Sequence, residues 1–119
     1  MLDNELRNYC DGIRADLEKL YNAEWTDEER DERENSGEAC DLYEYLSDVL
    51  DIEYTVDSRG GYIASRIYVA LGGPNIWIDT REECVRGAWG SGREESYIGP
   101  KISGAIDEIM EELYDMLRQ

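Results

Sequence analysis

Histidine and phenylalanine are absent from these 119 residues, and lysine occurs only at Lys19 and Lys101. Without histidine the commonest general base and metal ligand is missing. Ser/His/Asp and Cys/His catalytic arrangements are excluded, and most zinc sites are disfavoured. The three cysteines, Cys10, Cys40 and Cys84, stand far apart with no CxxC pair. An odd, scattered set does not close a disulfide framework and predicts reduced thiols in a cytoplasmic protein. No apolar run approaches the roughly 18 residues of a membrane span, and the opening MLDNELRNYCDG lacks the basic-then-apolar order of an export signal, so neither membrane insertion nor secretion is expected. The glycines at positions 60, 61, 72 and 73 follow no phosphate-cradling pattern, and no stretch has the D-x-[DN]-x-[DN]-G order of a calcium loop. We therefore expect no catalytic residue, no cofactor and no metal.

Acid is what the chain has in excess. Against 12 Lys and Arg stand 29 Asp and Glu, for a formal charge of −17. Among so many acids a carboxylate pair at any chosen spacing arises by chance, so spacing alone marks no acid/base site. The charge is uneven: residues 1–51 hold 17 acids and 5 bases, net −12, and residues 52–119 hold 12 acids and 7 bases, net −5. Such a surface repels nucleic acid and anionic membranes and suits a basic protein partner. With 41% hydrophobic residues, nine Tyr and three Trp, the chain is too apolar to be a disordered acidic tail. Its length predicts a single domain over 1–119.

Periodicity supplies the elements. Leu2, Leu6, Tyr9, Ile13, Leu17 and Leu20 recur at spacings of three and four and predict a first helix to about Tyr21. The run EWTDEERDERE around Trp25 is the densest in acid: Asp27, Glu28, Glu29, Asp31, Glu32 and Glu34. It reads as a solvated linker, as a frayed helical extension with acid–arginine pairs, or as an acidic lip that orders on a basic partner.

A second helix is expected over 36–51, capped by Asn35 or Ser36, with Ala39, Leu42, Tyr43, Leu46, Val49 and Leu50 on its buried side. Its other side would carry Glu38, Asp41, Glu44, Asp48 and Asp51 as a stripe of about one charge per 5 Å, sparser than DNA until a second acidic element is added.

From Ile52 the period changes to two. Strands are expected around Ile52–Val56, Tyr62–Leu71, Ile76–Ile78 and Val85, joined by turns at 57–61, 72–75 and 79–82, with residues 90–99 as a loop. Turns this short require an antiparallel meander. Helical period returns at Pro100 and runs through Ile102, Ile106, Met110, Leu113 and Leu117. The fold class is therefore α+β, order ααββββα, with helices packed on one face of a four-stranded antiparallel sheet.

Two partner-binding surfaces follow. The first is acidic: Asp27, Glu28, Glu29, Asp31, Glu32, Glu34, Glu38, Asp41, Glu44, Asp48 and Asp51. Solubility or salt adaptation would yield similar charge, and arginine in place of lysine fits the latter. The second is the outward face of the sheet, where Tyr62, Arg66, Tyr68 and Trp77 would lie together as aromatic and arginine anchors.

In size, acidity and the segment LGGPNIWIDT, Leu71–Thr80, the chain resembles small acidic proteins of bacterial phages and conjugative elements. Among these are DNA-mimicking inhibitors of restriction enzymes and CRISPR effectors. The resemblance implies a non-enzymatic inhibitor whose carboxylates occupy the DNA-binding or PAM-reading cleft of a basic, nucleic-acid-binding nuclease or effector. Two alternatives remain open: an immunity or antitoxin-like protein that neutralises one basic toxin, and an adaptor that binds through the aromatic sheet face.

Overall fold

A computed structural model describes residues 3–118. Leu2, where the first helical pattern begins, lies outside them. Three helices, α1 (Asp3–Asn22), α2 (Asp27–Ser36) and α3 (Leu42–Leu46), precede five strands, β1 (Asp51–Val56), β2 (Tyr62–Ala70), β3 (Asn75–Asp79), β4 (Cys84–Trp89) and β5 (Gly92–Tyr97), and the chain closes with α4 (Gly99–Leu117). The strands pair antiparallel in the order β1-β2-β3-β4-β5. The fold is α+β, and its sheet is a meander. Among the described residues no helix is long and apolar enough to cross a membrane.

One face of the sheet carries Ile52, Ile67, Ile78 and Val85, which stand in register across four strands, with Ile76 beside them. Against this face pack Cys10, Leu17 and Leu20 of α1, Leu42 and Leu46 of α3, and Ile102, Ile106 and Met110 of α4. α1 lies over β4 and β5, and α4 lies over β2. At Gly87 the backbone of β4 and α1 come so close that a Cβ would stand 2.9 Å from both Cys10 Sγ and Leu6 Cδ1. Only glycine allows that approach.

Three expectations are corrected. The sheet has five strands, not four, because residues 92–97 pair along the whole of β4 instead of forming a loop. β5 shows no hydrophobic alternation because its inward side is polar: Ser96 donates a hydrogen bond to Asp11, and Glu94 meets Arg7 at 3.2 Å. It is held by its ladder and by α1, neither of which hydrophobic period reports.

The expected helix over 36–51 exists only as the five residues of α3. Gly37, at φ +80°, takes the left-handed conformation and closes α2, so neither Asn35 nor Ser36 starts a new helix. The next helix begins at Asp41, whose carboxylate accepts from Glu44 N at 2.8 Å, while the Glu44 carboxylate accepts from Cys40 N at 3.0 Å. The Asp41 cap starts α3 while Glu44 ties back the residue before it, and the Ser47 hydroxyl ends the helix by donating to Glu44 O. The acidic run from 27 to 36 is itself a helix.

The third correction concerns Tyr62. The β1–β2 register shifts between Thr55 and Val56, and Tyr62 turns to the helix side. There its hydroxyl donates to Asp107 Oδ1 of α4 at 2.6 Å and lies 2.8 Å from Ser65 Oγ. Burial, and then the bond to Asp107, push its pKa well above the usual phenol value.

Candidate partner-binding site

Helix α2 buries none of its residues. A ten-residue helix that buries nothing is marginal by itself, so its ends and one anchor must hold it. Thr26 caps the N-terminus, accepting from Glu29 N at 3.1 Å, and Asp27, Glu28 and Glu29 complement the positive end of the helix dipole. The anchor is Arg33. Its guanidinium lies 4.3 Å from the centre of the Trp25 ring, its Nε donates to Ala39 O at 2.9 Å, and the Trp25 indole donates to Cys40 O at 2.7 Å. Cation–π contact and two hydrogen bonds thus tie α2 to the segment that leads into α3.

On a wheel of about 100° per residue, Asp27, Asp31 and Glu34 fall within about 60° of one another, Glu28 and Glu32 form the row beside them, and Arg33 falls opposite. Glu29 and Glu32 also flank a hollow of about 380 Å³ beside Trp25 and Arg33. Six carboxylates over about 10 Å of helix axis approach the spacing of duplex DNA, about one charge per 1.7 Å. With Arg30 and Arg33 counted the helix carries net −4, and Arg33 is turned to the body.

The five acids expected as a stripe are all exposed but do not share one helix face. Glu38 pairs with Arg33 at 3.4 Å, Asp41 and Glu44 cap α3, and Asp51 opens β1 and accepts from Ile52 N at 2.9 Å. Glu38, Glu44 and Asp48 do line one hollow of about 550 Å³ with Tyr45, Val49 and Val69. The stripe is therefore a correction: local hydrogen bonds hold three of the five carboxylates, and an arginine of the chain itself holds a fourth.

The sheet face opposite the helices brings together Arg66, Tyr68 and Trp77, as expected, without Tyr62. Tyr68 and Trp77 are cross-strand neighbours with ring centroids 6.0 Å apart, and the Tyr68 hydroxyl donates to Glu53 at 2.8 Å. That bond, more than burial, raises the Tyr68 pKa.

Sequence reasoning missed Asp79. Its carboxylate is buried and lies 3.6 Å from Arg86 and 3.9 Å from Arg66, while Arg86 also meets Glu95 at 3.3 Å. Asp79 further accepts from Arg81 N and Glu82 N, which shapes the β3–β4 turn. The turn sequence Asp79-Thr80-Arg81-Glu82 carried that second role and gave no sign of the first. Trp77 Nε1 is buried without an acceptor among the described residues, and Trp77, Arg86, Arg93 and Glu95 line a shallow hollow of about 460 Å³.

Among the described residues no group of three or more Cys, Asp or Glu is arranged to hold a metal ion. All three cysteines are buried and free. Burial and the neighbouring Asp11 push the Cys10 thiol up to about 11, and burial raises Cys84 as well. Both remain protonated at neutral pH, which is the opposite of an activated nucleophile. Compared with protein families, with curated proteins and with solved structures, the chain finds no match.

Proposed function

We propose that this is a non-enzymatic protein that inhibits a nucleic-acid-binding defence protein, a restriction enzyme or CRISPR effector, by entering its cationic cleft in place of DNA. The observation that carries the reading is α2, a helix that buries nothing and turns Asp27, Asp31 and Glu34 away from its Arg33 anchor, with Glu28 and Glu32 in the row beside them. Arginine and lysine side chains that grip phosphates would pair with these carboxylates through charge-assisted hydrogen bonds. Asp48 extends the acidic surface beyond α2. Because the pairs are exposed, affinity should fall steeply between roughly 50 and 200 mM salt.

A plasmid-challenge assay tests the proposal. Expression of the chain should lift restriction or CRISPR interference in cells that carry one such system, and the variant with D27N, E28Q, D31N, E32Q and E34Q should not. An amide variant that protects as well as the parent would falsify mimicry. A second reading, an adaptor that binds through the open sheet face, is favoured by the Tyr68–Trp77 pair. Trp77→Ala should then abolish partner binding while the five amides leave it intact.

A further inference from the structure

β1 stands at the edge of the sheet, paired on one side with β2 and on the other with no strand among the described residues. Edge strands offer free backbone donors and acceptors to any extended chain. Because α4 lies over β2, the helix-side face of β1 is left partly open. There Leu50, Ile52, Tyr54, Ile109 and Leu113 line a largely apolar groove of about 450 Å³, bordered by Ser47 and Asp51. Leu50 is 62% exposed, Tyr43 58% and Leu117 73%, so the groove opens into an uncovered apolar rim. Such a patch beside a free strand edge is unusual on a chain of charge −17.

The two faces of β1 differ in chemistry. Ile52 and Tyr54 point to the groove, where Tyr54 packs on Tyr114 of α4 with ring centroids 5.1 Å apart. Asp51, which also borders the groove, and Glu53, whose carboxylate accepts from the Tyr68 hydroxyl, alternate with them toward the other side, in register with Tyr68 and Arg66. A strand added to β1 therefore meets apolar side chains on one of its faces and carboxylates on the other. A second copy of β1 would set Asp51 and Glu53 against their own counterparts on one face, and like charges across a strand pair are destabilising.

We infer that the β1 edge and its groove form a second binding site, distinct from α2, for an extended segment of a basic protein in which apolar residues alternate with Arg or Lys. The segment adds a sixth strand. Its apolar side chains enter the groove between α3 and α4, and its cations face Asp51 and Glu53. Backbone pairing supplies affinity and the alternation supplies selectivity.

The test uses the full chain, labelled for NMR, and two capped lysine–valine peptides of identical composition, one strictly alternating and one with all lysines before all valines. The alternating peptide should shift the amides of residues 51–56 and bind at least about tenfold more tightly than the block peptide, a difference of about 1.4 kcal/mol. Leu50→Lys, a change at an exposed position, should remove that advantage without altering the rest of the spectrum. Equal affinity of the two peptides, shifts concentrated on α2, or β1 amides that move with protein concentration in the absence of peptide would each overturn the inference.

Discussion

Helix α2 and the segment from Glu38 to Asp51 are both rich in acid, yet they use it in opposite ways. In α2 the carboxylates of Asp31 and Glu34 face water, and the helix is held by other groups: Thr26 and the first-turn acids at its start, Gly37 at its end and the Arg33–Trp25 contact. In the following segment Asp41 and Glu44 make the hydrogen bonds that start α3, and Glu38 is paired with Arg33. Charge density along a chain is therefore not the same as charge on display. What decides between them is whether a carboxylate has a nearby backbone N–H that would otherwise lack a partner.

The sharpest way to break this comparison is to remove the charge on display. The five α2 amides should cost the protein its cationic partner, with loss of binding by about a hundredfold or more, while stability falls by no more than about 1–2 kcal/mol, the contribution of the first-turn acids Asp27 and Glu28; a larger fall would mean that α2 is structural and not a presented surface.

A second large effect lies on the interior side of the fold, where Tyr62, Tyr45 and Cys10 are held in their neutral forms. Burial raises all three, Tyr45 to about 12 and Cys10 to about 11. A group whose pKa is raised by folding stabilises the fold fully below its unfolded value and loses that contribution as pH climbs toward the folded value. The contribution of these three groups to stability measured by denaturant should thus be independent of pH below the unfolded thiol value of 9.0 and fall above it, through about 11 for Cys10 and about 12 for Tyr45. Tyr62→Phe should flatten part of that slope, and an unchanged slope would mean that the phenol is not held neutral by the fold.

Trp25→Ala removes the surface on which Arg33 rests and the hydrogen bond to Cys40 O. A cost of roughly 2 kcal/mol is expected for this half-buried side chain, with faster amide exchange confined to α2 and the segment before α3. Exchange that quickens everywhere would show that the anchor serves the whole fold. Asp41→Ala deletes a helix cap and should cost about 1 kcal/mol in denaturant unfolding. Asp31→Asn, a change of the same charge on α2, should stay within about 0.5 kcal/mol. If these two variants prove equal in stability, the distinction between capping and displayed carboxylates fails.

The long elements were legible because each repeats one burial period many times. Leu6, Leu17 and Leu20 of α1, and Ile102, Ile106 and Met110 of α4, are buried as their spacing requires. The alternation in β2 and β3 gave the strand positions, and the short turns gave the antiparallel order. Arg66, Tyr68 and Trp77 shared a face for the same reason.

The exceptions have separate causes. Over residues 36–51 the apolar spacing of three and four suits a long helix, but it equally suits one helical turn between two bends, and Leu50 and Tyr43 end up exposed. β5 escaped notice because a strand that hides Ser96 and Glu94 under α1 has no apolar stripe to read. Tyr62 changed sides through a one-residue register shift, which inverts the face of every residue beyond it.

By itself, then, the amino-acid order determined the α+β class, the antiparallel meander, the two long amphipathic helices, the acidic excess and the exclusion of histidine chemistry. Each of these depends on local periodicity or on composition, which no tertiary contact can alter. Tertiary structure alone decided which carboxylates are free to meet a partner, where α2 is anchored, and that an apolar groove lies open beside β1. The groove rests on contacts between residues distant in the chain, and the fate of the carboxylates on which nearby backbone N–H or arginine each one meets; hydrogen-bond competition and strand register, not sequence pattern, select the arrangement.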